Sequence, residues 1–200
     1  GKYIAFIDSD CVADRGWLRT LITSFEKADD DVVAVGGPNF VPEDSSPISK
    51  VIGYMQETLL GSGRSPQSYR FHDIRYVYGF PNCNAMYLRD ALLKNKYDDS
   101  LNIGEDCDLN FRLTKRGYKF LYVPNAIVWH SRPESIKKFL QKMWSYGVAM
   151  ARVTKKHKKI LRWYAPIPSI TIIALMFAHP ITNVIPPIVY FYATGFLIYM

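Results

Sequence analysis

Two clusters of carboxylates lie where one predicted element gives way to the next. Asp8 and Asp10 follow an apolar run, whereas Glu105, Asp106 and Asp108 open a predicted helix directly after a glycine. Two carboxylates two residues apart can hold one hard divalent cation and the phosphates that it bridges. An ionised carboxylate at a helix N-terminus can act as a general base that takes a proton from a hydroxyl. Together the two clusters predict an enzyme.

Each cluster also has a structural explanation. Acids at strand ends often serve only as turn or cap residues, and a single acid at a helix N-terminus is explained by capping. Three acids within residues 105–108 repel one another, which capping does not require and a bound cation or polar substrate would explain. His130 ends another predicted strand, where it could complete a metal shell with Asp10 or serve as an ordinary structural histidine.

The elements that must position these residues predict an α/β layered domain. Runs rich in β-branched and aromatic residues predict strands at 3–7, 32–36, 75–78, 85–88, 120–123 and 126–129. Apolar periodicity predicts helices at 15–28, with Asp14 as the N-cap, and at 105–116, ended by Gly117. At the carboxyl end of a parallel strand, Asp8 and Asp10 would face the crevice in which such sheets bind ligands. The segment 59–73 is predicted to be a loop, either a lid or an inert connector.

Charge and hydropathy set the C-terminal part apart. Between Arg132 and Trp163 lie ten lysines or arginines and one acid, whereas the rest of the chain carries 15 basic and 17 acidic residues. This basic belt precedes an apolar tail, so the net charge of +7 indicates anionic lipid on the cytoplasmic side rather than nucleic acid. The alternative is a solvated helical face. We expect residues 131–163, opened by a capping box at 131–134, to form a basic amphipathic juxtamembrane helix.

Residues 164–200 contain two uncharged halves, each slightly shorter than a bilayer requires. They are predicted to form a truncated membrane hairpin, with interfacial re-entrant helices as the alternative. The three cysteines, Cys11, Cys83 and Cys107, have no Cys-x-x-Cys spacing, so neither a disulfide framework nor a zinc site is predicted, and a reducing compartment fits.

The order of the motifs closely resembles family 2 glycosyltransferases of the GT-A fold. The resemblance covers residues 1 to about 150 and is carried by the segments 6–10, 79–85 and 97–109 and by the short motifs at 112–113, 117–118, 122–124 and 128–130. It implies that residues 1–130 are the C-terminal half of a GT-A type nucleotide-diphospho-sugar transferase core. The strands that bind the nucleotide would lie upstream, so we expect this chain alone to bind a donor poorly.

The resemblance also implies a nucleotide-sugar donor, a divalent cation (Mn²⁺ or Mg²⁺) and an acceptor hydroxyl. Asp8 is expected near the ribose or sugar of the donor, and Asp10 on the metal that holds its diphosphate. His130 matches a position that can contact the metal or the diphosphate. Asp106 matches the catalytic base of inverting members, with Glu105 beside it as an acceptor-contacting or supporting acid. Within the same motifs, the residues expected to contact substrate are Asn84, Asp108 and Gly79.

The chain departs from processive polysaccharide synthases because their Gln-x-x-Arg-Trp signature is only loosely matched at 141–144. We therefore expect single-sugar transfer at the cytoplasmic face of a membrane, onto a membrane lipid, a lipid-linked glycan or a polysaccharide. One alternative is a non-catalytic assembly protein that keeps the fold. Another is a haloacid-dehalogenase-type phosphatase with Asp8 as nucleophile, for which the downstream lysine and Gly-Asp pattern is missing.

Overall fold

The computed structural model describes residues 1–62, 65–160, 167, 169–171 and 173–174. Residues 1–156 form one compact unit and residues 157–200 another. The predicted membrane hairpin at 164–200 lies almost entirely outside the described residues. Within the part of the chain that is described, no helix has the length and apolar character needed to cross a bilayer.

The first unit contains eight strands and six helices among its described residues. The strands are β1 (Tyr3–Ile7), β2 (Cys11–Ala13), β3 (Val32–Gly36), β4 (Asn39–Phe40), β5 (Arg75–Val77), β6 (Asn84–Leu88), β7 (Lys119–Tyr122) and β8 (Val128–His130). The helices are α1 (Trp17–Glu26), α2 (Pro47–Glu57), α3 (Leu59–Ser62), α4 (Arg89–Lys94), α5 (Glu105–Lys115) and α6 (Ile136–Lys156). All six predicted strands are present within two residues of their expected bounds, and the α/β class is confirmed.

The larger sheet has the order β1-β6-β3-β7-β5. Strand β6 is antiparallel to both β1 and β3, and β3 is parallel to β7. Strands β1, β3 and β7 therefore run in the same direction and end at one edge of the sheet, where β6 begins. The expectation of a parallel strand before Asp8 was wrong in one respect, because the described neighbour of β1 is the antiparallel β6. The position at a carboxyl edge is nevertheless as expected.

A smaller sheet, β2-β8-β4, lies beyond that edge. It places Cys11 opposite His130 in register. Neither β2 nor β4 was predicted from the sequence, because segments of three and two residues carry no periodic pattern.

The core has a cluster on each face of the larger sheet. The successive β6 residues Met86 and Tyr87 belong to different clusters, as the alternation of a strand requires. Leucines of α5 pack with Tyr87, and α1 packs with Met86 through Leu21 and Phe25. The i, i+4 spacing on α1 accounts for that contact.

Two predicted helix starts were wrong. Helix α1 has Gly16 as its N-cap with no side-chain cap, because Asp14 lies too early and uses its carbonyl to accept from the Trp17 N–H. Helix α6 begins at Ile136, and its first turn is capped by the Ser135 hydroxyl, which accepts from the Lys138 N–H at 3.2 Å. The predicted capping box at 131–134 therefore does not open this helix.

Helix α6 carries large apolar side chains on an exposed face. Ile136, Leu140 and Trp144 are 60 to 76% exposed. Burial of α6 comes instead from its C-terminal half, at Ala149 and Val153.

Candidate active site

The first carboxylate cluster forms part of a group that could hold a metal ion. Asp8, Asp10, Cys11 and His130 each offer one ligand atom, and these atoms all lie within 4.8 Å of one another. The tight turn after β1 and the β2–β8 pairing create this arrangement: the Cys11 N–H donates to the Asp8 carbonyl at 3.1 Å, and Cys11 pairs with His130. The two carboxylates are exposed and His130 is buried. Cys11 was not predicted as a ligand.

The His130 ring lies between the carboxylate of Asp10 and the guanidinium of Arg132. Its Nε2 lies 3.3 Å from Asp10 Oδ2, and its Nδ1 lies 3.4 Å from Arg132 Nη1. Because a guanidinium only donates, Nδ1 must accept, which favours the tautomer whose proton lies on Nε2 and points to Asp10. For Nε2 to bind a cation, that proton must leave and the Arg132 contact must open. The metal role of His130 stays a prediction, with this requirement attached.

Arg132 belongs to a polar network behind the cluster. Its Nη2 donates to the carbonyl and to Oδ1 of Asn39, at 3.1 and 2.7 Å. The Asn39 amide in turn donates to Gln67 Oε1 and to Cys83 Sγ. Burial lowers the pKa of the Arg132 guanidinium. Arg132 thus points inward, so its assignment to a lipid-facing basic belt was wrong.

The two thiols of Cys11 and Cys83 meet at this site. The interaction with Cys83 is the largest cause that lowers the pKa of Cys11, and the interaction with Cys11, together with burial, raises the pKa of Cys83. The Cys83 thiol also donates to Gln67 Oε1 at 3.1 Å. The sequence could not indicate this contact, because the two cysteines are far apart along the chain and only the fold brings β2 to the start of β6.

The second carboxylate cluster begins at a backbone position that favours glycine. Gly104 is the N-cap of α5 with φ of +87°, a left-handed conformation that side chains with a Cβ disfavour. A Cβ at this position would lie 3.0 Å from Cγ2 of Val153. The sharp turn directs the next residues, Glu105 and Asp106, into the first turn of the helix.

Asp106 has the electrostatics expected of a base. Its pKa is raised, first by burial and then by the charge of Glu105, although hydrogen bonds from the N–H groups of Cys107 and Asn82 act in the opposite direction. The Cys107 N–H donates to Asp106 Oδ1 at 2.6 Å. A carboxylate with a raised pKa is a stronger base towards a hydroxyl. Burial also raises the pKa of the neighbouring Tyr97 phenol to about 12.

The segment before β6 joins the two clusters. Ile7 at the end of β1 pairs with Asn84 at the start of β6, so the residues just after β1 and just before β6 lie at the same edge. On the other side, the Tyr97 hydroxyl, from the segment before the Asp106 turn, donates to Asn82 Oδ1 at 3.2 Å. The fold therefore brings the Asp106 turn and the group around Asp10 to the same edge of the sheet.

Two residues with predicted substrate contacts have structural partners. Asn84 is fully buried; its Oδ1 accepts from Trp17 Nε1 at 2.7 Å, and its Nδ2 donates to two backbone carbonyls at 2.8 Å. Gly79 has φ of +148°, and a Cβ there would lie 2.5 Å from the Cβ of Asn110. Their contact with substrate remains a prediction.

Asp108 is also inside the protein. Its side chain is fully buried and forms ion pairs with Arg112 and Lys156. A substrate would have to displace a cation to reach it, and its predicted substrate contact likewise remains untested.

Comparison with known proteins gives a family match over almost the whole chain. Residues 3–200 match the model described as "Glycosyl transferase family group 2". A similar curated protein is the "Pre-mycofactocin glycosyltransferase" of Mycobacterium tuberculosis, 28% identical over 158 residues, which are 78% of this chain and 32% of that protein. The "Poly-beta-1,6-N-acetyl-D-glucosamine synthase" of Staphylococcus aureus is 26% identical over 162 residues, which are 80% of this chain and 36% of that protein.

An archaeal protein is similar over a larger share of its own length. The "Dolichyl N-acetyl-alpha-D-glucosaminyl phosphate 3-beta-D-2,3-diacetamido-2,3-dideoxy-beta-D-glucuronosyltransferase" of Methanococcus voltae is 25% identical over 171 residues, 83% of this chain and 52% of that protein. The chain thus spans about a third to a half of the length of these relatives. The solved structure of GalNAc-T7 with UDP, GalNAc and Mn²⁺ covers 67% of this chain and 28% of its own, with 16% identity and a TM-score of 0.47, a similarity below the level that identifies a shared fold.

Proposed function

The chain belongs to glycosyl transferase family group 2, and we propose that the protein transfers a sugar from a nucleotide-diphosphate donor to an acceptor hydroxyl, with inversion at the anomeric carbon. The observation that carries this proposal is the shared edge of the larger sheet, where the segment before β6 lies between a base with a raised pKa and a group of potential cation ligands. A glycosyl transfer with inversion needs both: a base for the acceptor proton and a charged site for the departing diphosphate.

Asp106 is proposed as the base. As the acceptor oxygen attacks the anomeric carbon, the Asp106 carboxylate takes the hydroxyl proton. The bond from that carbon to the diphosphate oxygen breaks on the opposite side, and its electrons leave with the nucleoside diphosphate. The burial and the adjacent Glu105 charge that raise the pKa of Asp106 increase its basicity for this step.

The donor set fits a divalent cation, proposed as Mn²⁺ or Mg²⁺. Carboxylate oxygens of Asp8 and Asp10 suit both ions, whereas the imidazole of His130 and the thiol of Cys11 favour a transition-metal ion. We therefore favour Mn²⁺. When bound, the cation would neutralise charge on the departing diphosphate.

We propose that the acceptor is held by a membrane, for example as a lipid-linked glycan at the cytoplasmic face. Support comes from α6, where Ile136, Leu140 and Trp144 are exposed on one face and Lys137 and Lys138 are exposed beside them. Such an apolar stripe flanked by lysines is typical of helices that lie at an anionic membrane surface. The name of the archaeal relative contains a dolichyl N-acetyl-alpha-D-glucosaminyl phosphate.

The proposal is tested by the release of nucleoside diphosphate from a panel of sugar nucleotides, with the intact protein and Mn²⁺. We expect release with at least one donor, its loss on chelation and its loss in Asp10→Asn. The exposed Asp90, in the first turn of α4, provides the control Asp90→Asn, which should retain activity. Release that persists under strong chelation would contradict the metal role.

A further inference from the structure

The first turn of α5 contains a carboxylate with no exposure to solvent. Both oxygens of Asp108 are paired: Arg112 Nε lies 2.8 Å from Oδ2, and Lys156 Nζ lies 2.6 Å from Oδ1. A buried carboxylate requires such partners because an unpaired charge is strongly disfavoured in the interior. The start of α5 is therefore tied to Lys156, the last residue of α6.

Lys156 also contacts the segment that leads into the catalytic turn, defined as residues 104–106. Its Nζ lies 2.6 Å from Asp98 Oδ2, while Asp98 Oδ1 accepts from the N–H and hydroxyl of Ser100 at 2.9 and 2.6 Å. Arg112 donates from Nη2 to a backbone carbonyl two residues before Asp98, at 2.7 Å. The Lys156 cluster, defined as Lys156, Asp98, Asp108 and Arg112, thus holds both ends of the segment 99–107. That segment contains the proposed base.

The same helix face packs against the middle of this segment. Ala149 and Val153 lie two turns and one turn before Lys156, and both are buried. These two residues would be the nearest neighbours of a Cβ built at Gly104, which would lie 3.0 Å from Val153 Cγ2 and 3.7 Å from Ala149 Cβ. Residues 149, 153 and 156 follow the i, i+4, i+7 spacing of one helix face. Helix α6 therefore contacts the catalytic turn both through an apolar surface and through a charge.

From these contacts we infer that Lys156 is a positioning residue that orders the segment 99–107 and thereby holds Asp106 in place for proton transfer. This inference rests on the proposed function for its catalytic part. Lys156 itself reaches Asp98 and Asp108, and no contact with donor or acceptor is needed for its role. Misplacement of a reacting group by about 1 Å can cost about 100-fold in rate, so loss of this order should act on kcat rather than on donor affinity.

The test compares Lys156→Met, Lys156→Arg and the control Lys155→Met in the intact protein. Lys155 is the preceding residue of the same helix and is exposed, so its replacement also removes one positive charge from α6 but leaves the Lys156 cluster intact. In Lys156→Met we expect faster hydrogen exchange in peptides covering 99–108, and a kcat lower by about 10- to 100-fold with the KM for donor within about twofold. Lys156→Arg should restore most of the protection from hydrogen exchange and most of kcat, and Lys155→Met should change neither quantity.

Equal exchange in the two methionine variants would overturn the inference, whatever their activity. Faster exchange in Lys156→Met with an unchanged kcat would also overturn it, because order in the segment would then not matter to Asp106. A wild-type protein that releases nucleoside diphosphate from no donor would instead refute the proposed function. Because hydrogen exchange needs no substrate, it would still decide whether Lys156 orders the segment.

Discussion

Replacing Gly104 by alanine tests how closely the catalytic turn is fitted to α6. Gly104 and Gly117 both have φ of +87°, so an alanine at either position carries the same backbone strain. They differ in their surroundings: a Cβ at Gly104 would lie 3.0 Å from Val153 Cγ2, whereas a Cβ at Gly117 would have nothing within 4 Å. Gly117→Ala is therefore a matched control that isolates the side-chain contact.

The expected magnitudes follow from these two differences. A left-handed conformation costs an L-residue about 1–2 kcal/mol, which is the whole effect expected for Gly117→Ala. Val153 is fully buried and has little room to move, and overpacking of this kind costs about 1–3 kcal/mol more. We therefore expect Gly104→Ala to lower the free energy of unfolding by about 2–5 kcal/mol.

The assay is urea unfolding of the intact protein, with both glycine variants also made in a Val153→Ala background. Removing the valine methyl groups relieves the contact, so the extra cost of Gly104→Ala should fall towards that of Gly117→Ala, which is a coupling energy of about 1–3 kcal/mol. Equal costs for the two glycine variants in the wild-type background, or no relief by Val153→Ala, would refute this account of the turn.

Four further predictions concern the carboxylates and the thiol of the site. Because the base must be ionised and the pKa of Asp106 is raised, we expect kcat/KM to fall as the pH drops through a value above the ordinary aspartate range; an acid limb at or below that range would contradict this. Ionisation of Asp106 opposes folding once the pH exceeds its ordinary pKa, so Asp106→Asn should raise the free energy of unfolding at neutral pH and have no effect at lower pH. Asp108→Asn should lower the free energy of unfolding by about 3 kcal/mol, which is at the low end for a broken buried ion pair because Lys156 is 39% exposed. Denaturant unfolding measures the effects of Asp106→Asn and Asp108→Asn. If Cys11 binds the cation, Co²⁺ added to the intact protein should give a thiolate-to-cobalt absorption band that Cys11→Ser lacks, and an unchanged spectrum in the variant would exclude that ligand.

Much of the fold could be predicted because its main elements carry strong local patterns. The runs at Tyr3–Ile7 and Val32–Gly36 read directly as strands, and the acids, basic residues and glycine of α5 mark both of its ends. Helix α2 was missed although it carries a readable signal, since Ser46 caps it and Pro47 occupies its first turn. Strands β2 and β4 were missed because their pairing with β8 alone defines them.

The site was predictable in its residue types but not in their partners. Asp10 and Asp106 could be selected because carboxylates stand at predicted element edges. The inward orientation of the Arg132 side chain could not be predicted, because in the sequence Arg132 is one of ten basic residues. Only the approach of Asn39 in the fold gives its guanidinium buried acceptors. The burial of Asp108 depends in the same way on Lys156, from a helix that follows much later in the chain.

The central claim is that Asp106 takes the acceptor proton at a site that binds the donor independently of that step. The most direct measurement compares donor binding by calorimetry with sugar transfer, in wild-type protein and in Asp106→Asn. The account predicts that the variant binds the sugar nucleotide with nearly wild-type affinity and transfers no measurable sugar. Turnover retained by Asp106→Asn at a rate close to that of the wild type would contradict it.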